Sequence, residues 1–360
     1  MRNTKILSLQ SLRGLAAISI AFFHLNTGGY ISNFFETAWI AVDFFFVLSG
    51  FVISLSYSEK ISSVKTFYIY QKKRFIRLYP LHFAMLIIFL IVEFLKLLVE
   101  INFGLVANNK AFSTNNLSAF LANLFFIHNL IIYQPTFNYP SWSVSAEFLT
   151  YAIFGFVTLI TRNSRILFYS FSIILILIFN YLLFFLGFES DNITGPIRCL
   201  YSFFIGVLTQ KIHNYLSNKK AKLLSIPSTL MILISILLIN YLGNDNSGII
   251  VFIPYIFAIT ILALVLTDEK AIIIKILSYK FLVYLGTISY SIYLTHAFIW
   301  WVGNMIFRFI FNFPTEINSS GKTIVLINNI FLADIISLIG IIFVLFISHI
   351  SYSFFERKFY

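Results

Sequence analysis

Long apolar stretches recur along the chain, separated by short polar connectors. Ten of them, at approximately 8–28, 37–57, 76–98, 142–161, 166–187, 195–213, 224–242, 248–267, 280–303 and 325–352, are long enough to be membrane spans. A helix of about 20 residues crosses a hydrocarbon core of roughly 30 Å. In lipid every backbone N–H and C=O must be bonded internally, which leaves helices or closed barrels. Barrel strands would alternate over about ten residues, and these runs do not. The pattern predicts an all-α polytopic membrane protein with about ten transmembrane helices. The stretch 118–133 stands apart. It is short, is interrupted by Asn123, His128 and Asn129, and is followed by Pro135 and Pro140.

Charge placement arbitrates that stretch. If 118–133 does not cross, 19 of the 25 basic residues fall in connectors on one side. Letting it cross would scatter them over both faces, against the tendency of Lys and Arg to mark the cytoplasmic side. The stretch is therefore expected to be a partial or re-entrant segment near the outer surface, with the N-terminus and C-terminus both cytoplasmic. The outer loops are short, no inverted repeat is evident, and residues 1–360 read as a single transmembrane domain.

Composition narrows the function classes. With 59% hydrophobic residues, 44 of them Phe, and 11% charged, the chain has too little polar surface for a soluble fold. The net charge of +11 does not point to nucleic acid, because it is spread among the connectors of a membrane protein. The single cysteine, Cys199, excludes an internal disulfide and argues against a Cys-based metal site. The histidines lack HExxH-like spacing, so no metal is expected. Arg13 interrupts the first apolar run and argues against a cleaved signal peptide.

Topology turns sequence position into depth. In LRGLAAISIAFFHL, residues 12–25, Arg13 falls toward the inner side and His24 toward the outer. They are eleven positions apart, which puts both within roughly 20° of one helical face and about 16 Å apart along the axis. Asp43, Glu147 and His296 come from three other spans and are expected at His24's depth. Arg74 and Arg77, at i and i+3 on the start of the third span, join Arg13 near the cytoplasmic face. Ionisable residues inside spans usually face an interior pathway. The inner zone suits a polyphosphate anion, since guanidinium bonds phosphate with two hydrogens at once. The outer zone has an imidazole and carboxylates, the parts of general base catalysis.

The motifs LRGLAAISIAFFH, VDFFFVLSGFVIS, RFIRLYPLH, WSVSAEF and SYSIYLTH occur in that order over residues 8–300. Together they resemble the membrane-bound acyltransferase family 3, in which an arginine and a histidine separated by ten residues mark the first span. Arg13 and His24 match that pair, Arg74 and Arg77 the paired arginines, and Trp142, Ser143, Ser145 and Glu147 the tryptophan–serine–glutamate motif. The resemblance implies transfer of an acyl group, most often acetyl from cytoplasmic acetyl-CoA, to hydroxyls of cell-surface carbohydrate such as O-antigen (lipopolysaccharide), capsule or exopolysaccharide. It implies a bacterial inner-membrane location, a carbohydrate acceptor and contact with membrane lipids, in the form without an extracellular SGNH domain. Members often carry a second glutamate after the first; here Phe148 follows Glu147.

On that resemblance His24 and Glu147 are the catalytic candidates, and Arg13, Arg74 and Arg77 would hold the donor. Asp43, Trp142, Ser143, Tyr293 and His296 would line the acceptor side. Other readings stand beside these. Arg13 can snorkel to the interface, and Arg74 and Arg77 can simply be positive-inside charges. Glu147 and Asp43 can be buried partners of arginine. Tyr290, Tyr293 and His296 share packing spacing. His82, His128, His213 and His349 are given no role. His24 has two mechanisms open to it, as general base or as acyl carrier. The acceptor can also be a lipid-linked sugar or a small molecule, and a glycan-precursor transporter would want similar buried charges.

Overall fold

The computed structural model describes residues 3–25, 27–107, 109–132, 134–187, 193–218, 225–242, 248–317 and 323–359. Its helices are α1 (Asn3–Leu25), α2 (Tyr30–Phe34), α3 (Ala41–Tyr57), α4 (Val64–Phe103), α5 (Leu117–Leu124), α6 (His128–Ile131), α7 (Trp142–Ile160) and α8 (Arg165–Leu186). They continue as α9 (Thr194–Asn218), α10 (Ser225–Leu242), α11 (Ile253–Leu266), α12 (Ile272–Leu277), α13 (Lys280–Thr287), α14 (Ser289–Phe309) and α15 (Ile330–Phe354). Two short strands, β1 (Thr315–Ile317) and β2 (Thr323–Val325), pair antiparallel with Thr315 opposite Val325.

Helix covers all or most of the described part of each predicted span. Among the described residues, five helices are long and apolar enough to cross a membrane alone: Ala38–Tyr57, Tyr139–Ile160, Arg165–Leu186, Ile249–Leu266 and Ile330–Phe359. The predicted span 280–303 is two helices, α13 and α14, bent by 66° where they meet; together they make a sixth. Helices α1, α4 and α9 are long but carry more polar side chains, and the apolar part of α10, Pro227–Leu242, is shorter. The predicted spans 8–28, 76–98, 195–213 and 224–242 therefore lie outside the set that helix length and hydropathy pick out among the described residues.

Helix α4 extends the third predicted span in both directions to 40 residues, about 60 Å at 1.5 Å per residue. Ser63 and Thr66 form a reciprocal capping box at its start, and Gly104 ends it in the left-handed conformation, φ 66°. Pro80 lies within it, and the Tyr290 hydroxyl donates to the Leu78 carbonyl beside this point, 2.6 Å away, tying α14 to α4. Buried Glu93 accepts from Lys96, from Asn115 and from the backbone N–H of Phe112, and so pins the loop after α4 back against it.

The 118–133 stretch does not cross. Helix α5 has eight residues, about 12 Å of rise, and α6 only four. The chain then turns back through Phe137, which like Phe126 takes a positive φ. The segment is held from inside: His82 Nε2 meets the Asn123 carbonyl at 3.0 Å, Asn123 donates to Thr136, and Ser145 donates to the Phe126 carbonyl.

Two helix pairs approach to backbone contact. On α3 and α9, a Cβ at Gly50 would run into the Phe203 carbonyl, and one at Gly206 into the Val47 carbonyl. On α1 and α13, Gly14 and Gly286 face each other in the same way. Small residues permit such approach, and in a bilayer, close packing supplies much of the association energy. Helix α3 is thereby buried at the centre, while α8 and α15 lie outside with only 22% of their span residues buried.

Candidate active site

Two cavities open inside the bundle. The first, about 510 Å³, is lined by His24 of α1, Trp39, the α6 residues His128 and Asn129, Trp142 of α7 and Arg198 of α9. The second, about 370 Å³, is lined by Arg13 of α1, Ser49 of α3, Arg74 and Arg77 of α4, and Glu147 and Tyr151 of α7. Val42 and Tyr293 line both and form the partition between them.

In the first cavity His24 meets His296 of α14. Nδ1 of His24 and Nε2 of His296 lie 2.9 Å apart, with the rings nearly parallel at 17°. His296 is fully buried, and its Nδ1 faces the Ile292 carbonyl one turn back at 3.1 Å. A carbonyl only accepts, so in the neutral pair His296 Nδ1 carries the proton and its Nε2 is the acceptor. His24 Nδ1 is then the donor, which places the His24 lone pair on Nε2. Tyr139 stands edge-on to His24, ring centroids 4.9 Å apart. The Trp300 indole donates to the Ala21 carbonyl at 2.9 Å, fixing α14 against α1 one turn from His24.

The second cavity gathers the three arginines. Arg74 reaches the Tyr57 hydroxyl at 3.3 Å and lies over the rings of Tyr57 and Tyr151, at 5.2 and 6.0 Å from their centroids. Glu147 accepts from Ser49 and from Tyr151, both at 2.6 Å. This differs from the expected grouping with His24: Glu147 lines the arginine cavity rather than the cavity of His24. The helix that carries Glu147 was legible, but the face of α7 on which it projects was not.

Asp43 also departs from the expected acceptor lining. Its carboxylate is fully buried, bonded by Arg198 at 2.5 Å and by Ser202 at 2.9 Å. The buried-partner reading describes its position, and Arg198 is the partner. The guanidinium lies between two indoles, 4.9 Å from Trp39 and 5.6 Å from Trp142. Arg198 escaped the sequence reading because it sits mid-run in GPIRCLYSFFIG; an arginine within an apolar span is itself the signal. Asn129 was noted only as an interruption, and His128 was set aside.

Ser143 and Tyr293 hold the partition. Their hydroxyls are 2.7 Å apart, and Tyr293 donates to the Pro140 carbonyl at 2.9 Å. Trp142 and Ser143, adjacent in sequence, line the first and second cavities respectively. Of the residues expected near the acceptor, Trp142, Tyr293 and His296 lie in or against the His24 cavity.

The architecture is thus a helical membrane bundle with an imidazole pair in one cavity and a cluster of arginines in the next. Residues 6–355 match the family model described as acyltransferase domain, and the chain belongs to that family, acyltransferase family 3. Among curated proteins it is similar to acyltransferase MdmB of Streptomyces mycarofaciens, 30% identical over 166 residues, which are 42% of this chain and 39% of the relative. It is similar to peptidoglycan O-acetyltransferase OatA of Listeria monocytogenes, 25% identical over 322 residues, 80% of this chain and 48% of the relative. It also resembles protein 2 in the picA locus of Rhizobium radiobacter, 35% identical over 79 residues, 22% of this chain and 40% of that protein. The chain thus spans under half the length of each of these relatives. No solved structure matches.

Proposed function

We propose that this protein transfers an acetyl group from acetyl-CoA to a hydroxyl of a cell-surface carbohydrate, of the kind found in O-antigen, capsule or exopolysaccharide. The observation that carries the reading is the pair of adjoining cavities, one with three arginines and the other with His24, sharing Val42 and Tyr293 as a partition. The acetyl-donor and sugar-acceptor assignment draws support from the relative named as a peptidoglycan O-acetyltransferase.

In this reading Arg13, Arg74 and Arg77 hold the phosphates of the donor, whose three phosphate groups match a guanidinium cluster. Positive-inside charge supports a cytoplasmic arginine cavity, cytoplasmic termini and a bacterial inner-membrane location. The narrow arm of the donor reaches past Tyr293, bringing the thioester to His24. Glu147, bonded to Tyr151 beside Arg74, positions the donor side rather than taking the acceptor's proton.

The tautomer set by Ile292 and His296 gives His24 Nε2 the lone pair that chemistry requires. In one route Nε2 takes the proton of the sugar hydroxyl as its oxygen attacks the thioester carbonyl; the carbon–sulfur bond breaks and the thiolate leaves. In the other, Nε2 attacks the thioester carbonyl first and the thiolate leaves; the sugar hydroxyl oxygen then attacks the acetyl carbon, the carbon–Nε2 bond breaks, and the freed Nε2 takes the hydroxyl proton. In both, positive charge grows on the His24 ring while its Nδ1–H bond to His296 strengthens.

The test is His24→Ala, with membrane levels matched, and ester content of the surface glycan measured by mass spectrometry. A general base contributes about 10²–10⁴-fold, so esters should fall to background. Near-normal acetylation in His24→Ala overturns the assignment.

A further inference from the structure

Asn129 is 1% exposed and lines the His24 cavity, yet neither its Oδ1 nor its Nδ2 is bonded to any described group. Beside it His128, 6% exposed, lines the same cavity with an unbonded Nδ1. A buried carboxamide without partners forfeits about 1–3 kcal/mol per unsatisfied group. Buried asparagines therefore usually bond the backbone, as Asn123 does through Ala119. The neighbourhood holds Asn129 where it is. A Cβ at Gly195 would lie 3.1 Å from the Trp142 ring and 3.3 Å from Asn129 Nδ2, so indole and amide lie side by side over a residue with no side chain.

We propose that Asn129 reads the acceptor: its carboxamide bridges two neighbouring hydroxyls of a sugar ring packed beside Trp142, and so fixes which further hydroxyl reaches His24. This rests on the acyl-transfer reading above. A carboxamide offers one acceptor and one donor side by side, and a vicinal diol offers both functions on each oxygen, so the two match as a pair. An aromatic wall with a few fixed polar groups is the make-up of a small-ligand site. Among the described residues the cavity lining includes no Asp or Glu, and its arginine is already paired with Asp43; a second lining amide, Gln134, is exposed, so Asn129 is the buried carboxamide there with both polar atoms open to a ligand.

The experiment uses purified full-length protein, acetyl-CoA, and surface glycan isolated from host cells lacking this protein. Three quantities are read: thiol release with water as the acceptor, KM for glycan, and the position of the ester by NMR. Asn129→Leu, of similar size but unable to bond, should raise the glycan KM about tenfold for the two hydrogen bonds lost. It should also spread acetyl over several hydroxyls, with water-driven thiol release and the KM for acetyl-CoA unchanged. A wild-type glycan KM and a single ester position in Asn129→Leu overturn the inference. Should that variant lose thiol release, Asn129→Gln decides: its displaced amide is expected to change glycan KM or ester position, and unchanged values overturn the inference. Absence of both thiol release and ester in the wild-type protein would instead sink the acyl-transfer reading itself.

Discussion

Replacing His296 with leucine removes the group that accepts from His24 Nδ1 while leaving the arginine cavity untouched. In the resting state the 2.9 Å contact is a bond between neutral rings, worth about 1 kcal/mol net. On the proposed mechanism His24 takes on charge during transfer, and the bond then becomes charge-assisted and roughly doubles. The difference, about 1–1.5 kcal/mol, acts on the barrier alone and corresponds to about a tenfold lower kcat. Loss of tautomer control adds to it, because a freed His24 ring also populates the form with its lone pair on Nδ1. The expected result is a 10- to 100-fold fall in kcat with KM for both substrates near wild type. His296→Gln separates this from a packing effect, since its carbonyl oxygen can accept from His24 Nδ1 and should restore most of the rate. The assay is ester formation on isolated glycan at varied acetyl-CoA. A leucine variant at wild-type kcat, or a glutamine variant no better than leucine, would refute the reasoning.

Two further outcomes concern the scaffold. Asp43→Ala leaves the Arg198 guanidinium buried without its anion and should cost about 3–5 kcal/mol, read as a lower temperature for loss of monodisperse protein in detergent. Pairing Asp43→Leu with Arg198→Met should recover most of that loss, because no uncompensated charge is left. Gly50→Ala sets a methyl against the Phe203 carbonyl, backbone against backbone with no side chain to yield, so the cost should exceed the usual ~1–3 kcal/mol of core overpacking. Folded protein in the membrane fraction should drop sharply, while Gly303→Ala, whose Cβ meets only the edge of Phe307 at 4.0 Å, should be tolerated.

The helices were legible because lipid leaves the backbone no alternative, and the meeting of His24 and His296 because topology gave both one depth. Depth says nothing about azimuth. Glu147 turns toward the arginines, and Asp43 turns toward Arg198, a residue the apolar run concealed. The 66° break between α13 and α14 has no proline or glycine at Ile288 to announce it; Gly286 just before it serves the contact with α1. Asn129 and His128 were in view as flaws in a short apolar stretch. Their place in the lining of the His24 cavity depends on the way the turns at Phe126 and Phe137 fold that stretch back into the bundle, which is a tertiary outcome.

The Asp43–Arg198 pair also constrains how the protein is made. The partners are 155 residues apart in sequence, and at synthesis rates of about 5–20 residues per second the ribosome delivers α3 roughly 8–30 s before α9. For that interval α3 holds a carboxylate with no guanidinium to meet it, at a depth where an unpaired charge is costly. Helix α3 must therefore wait at a wet or protein-lined site, or with Asp43 protonated, until α9 arrives. Closing the ion pair is then a late event of assembly, and a helix α9 that fails to dock leaves behind a nascent chain that quality control can recognise by its charge.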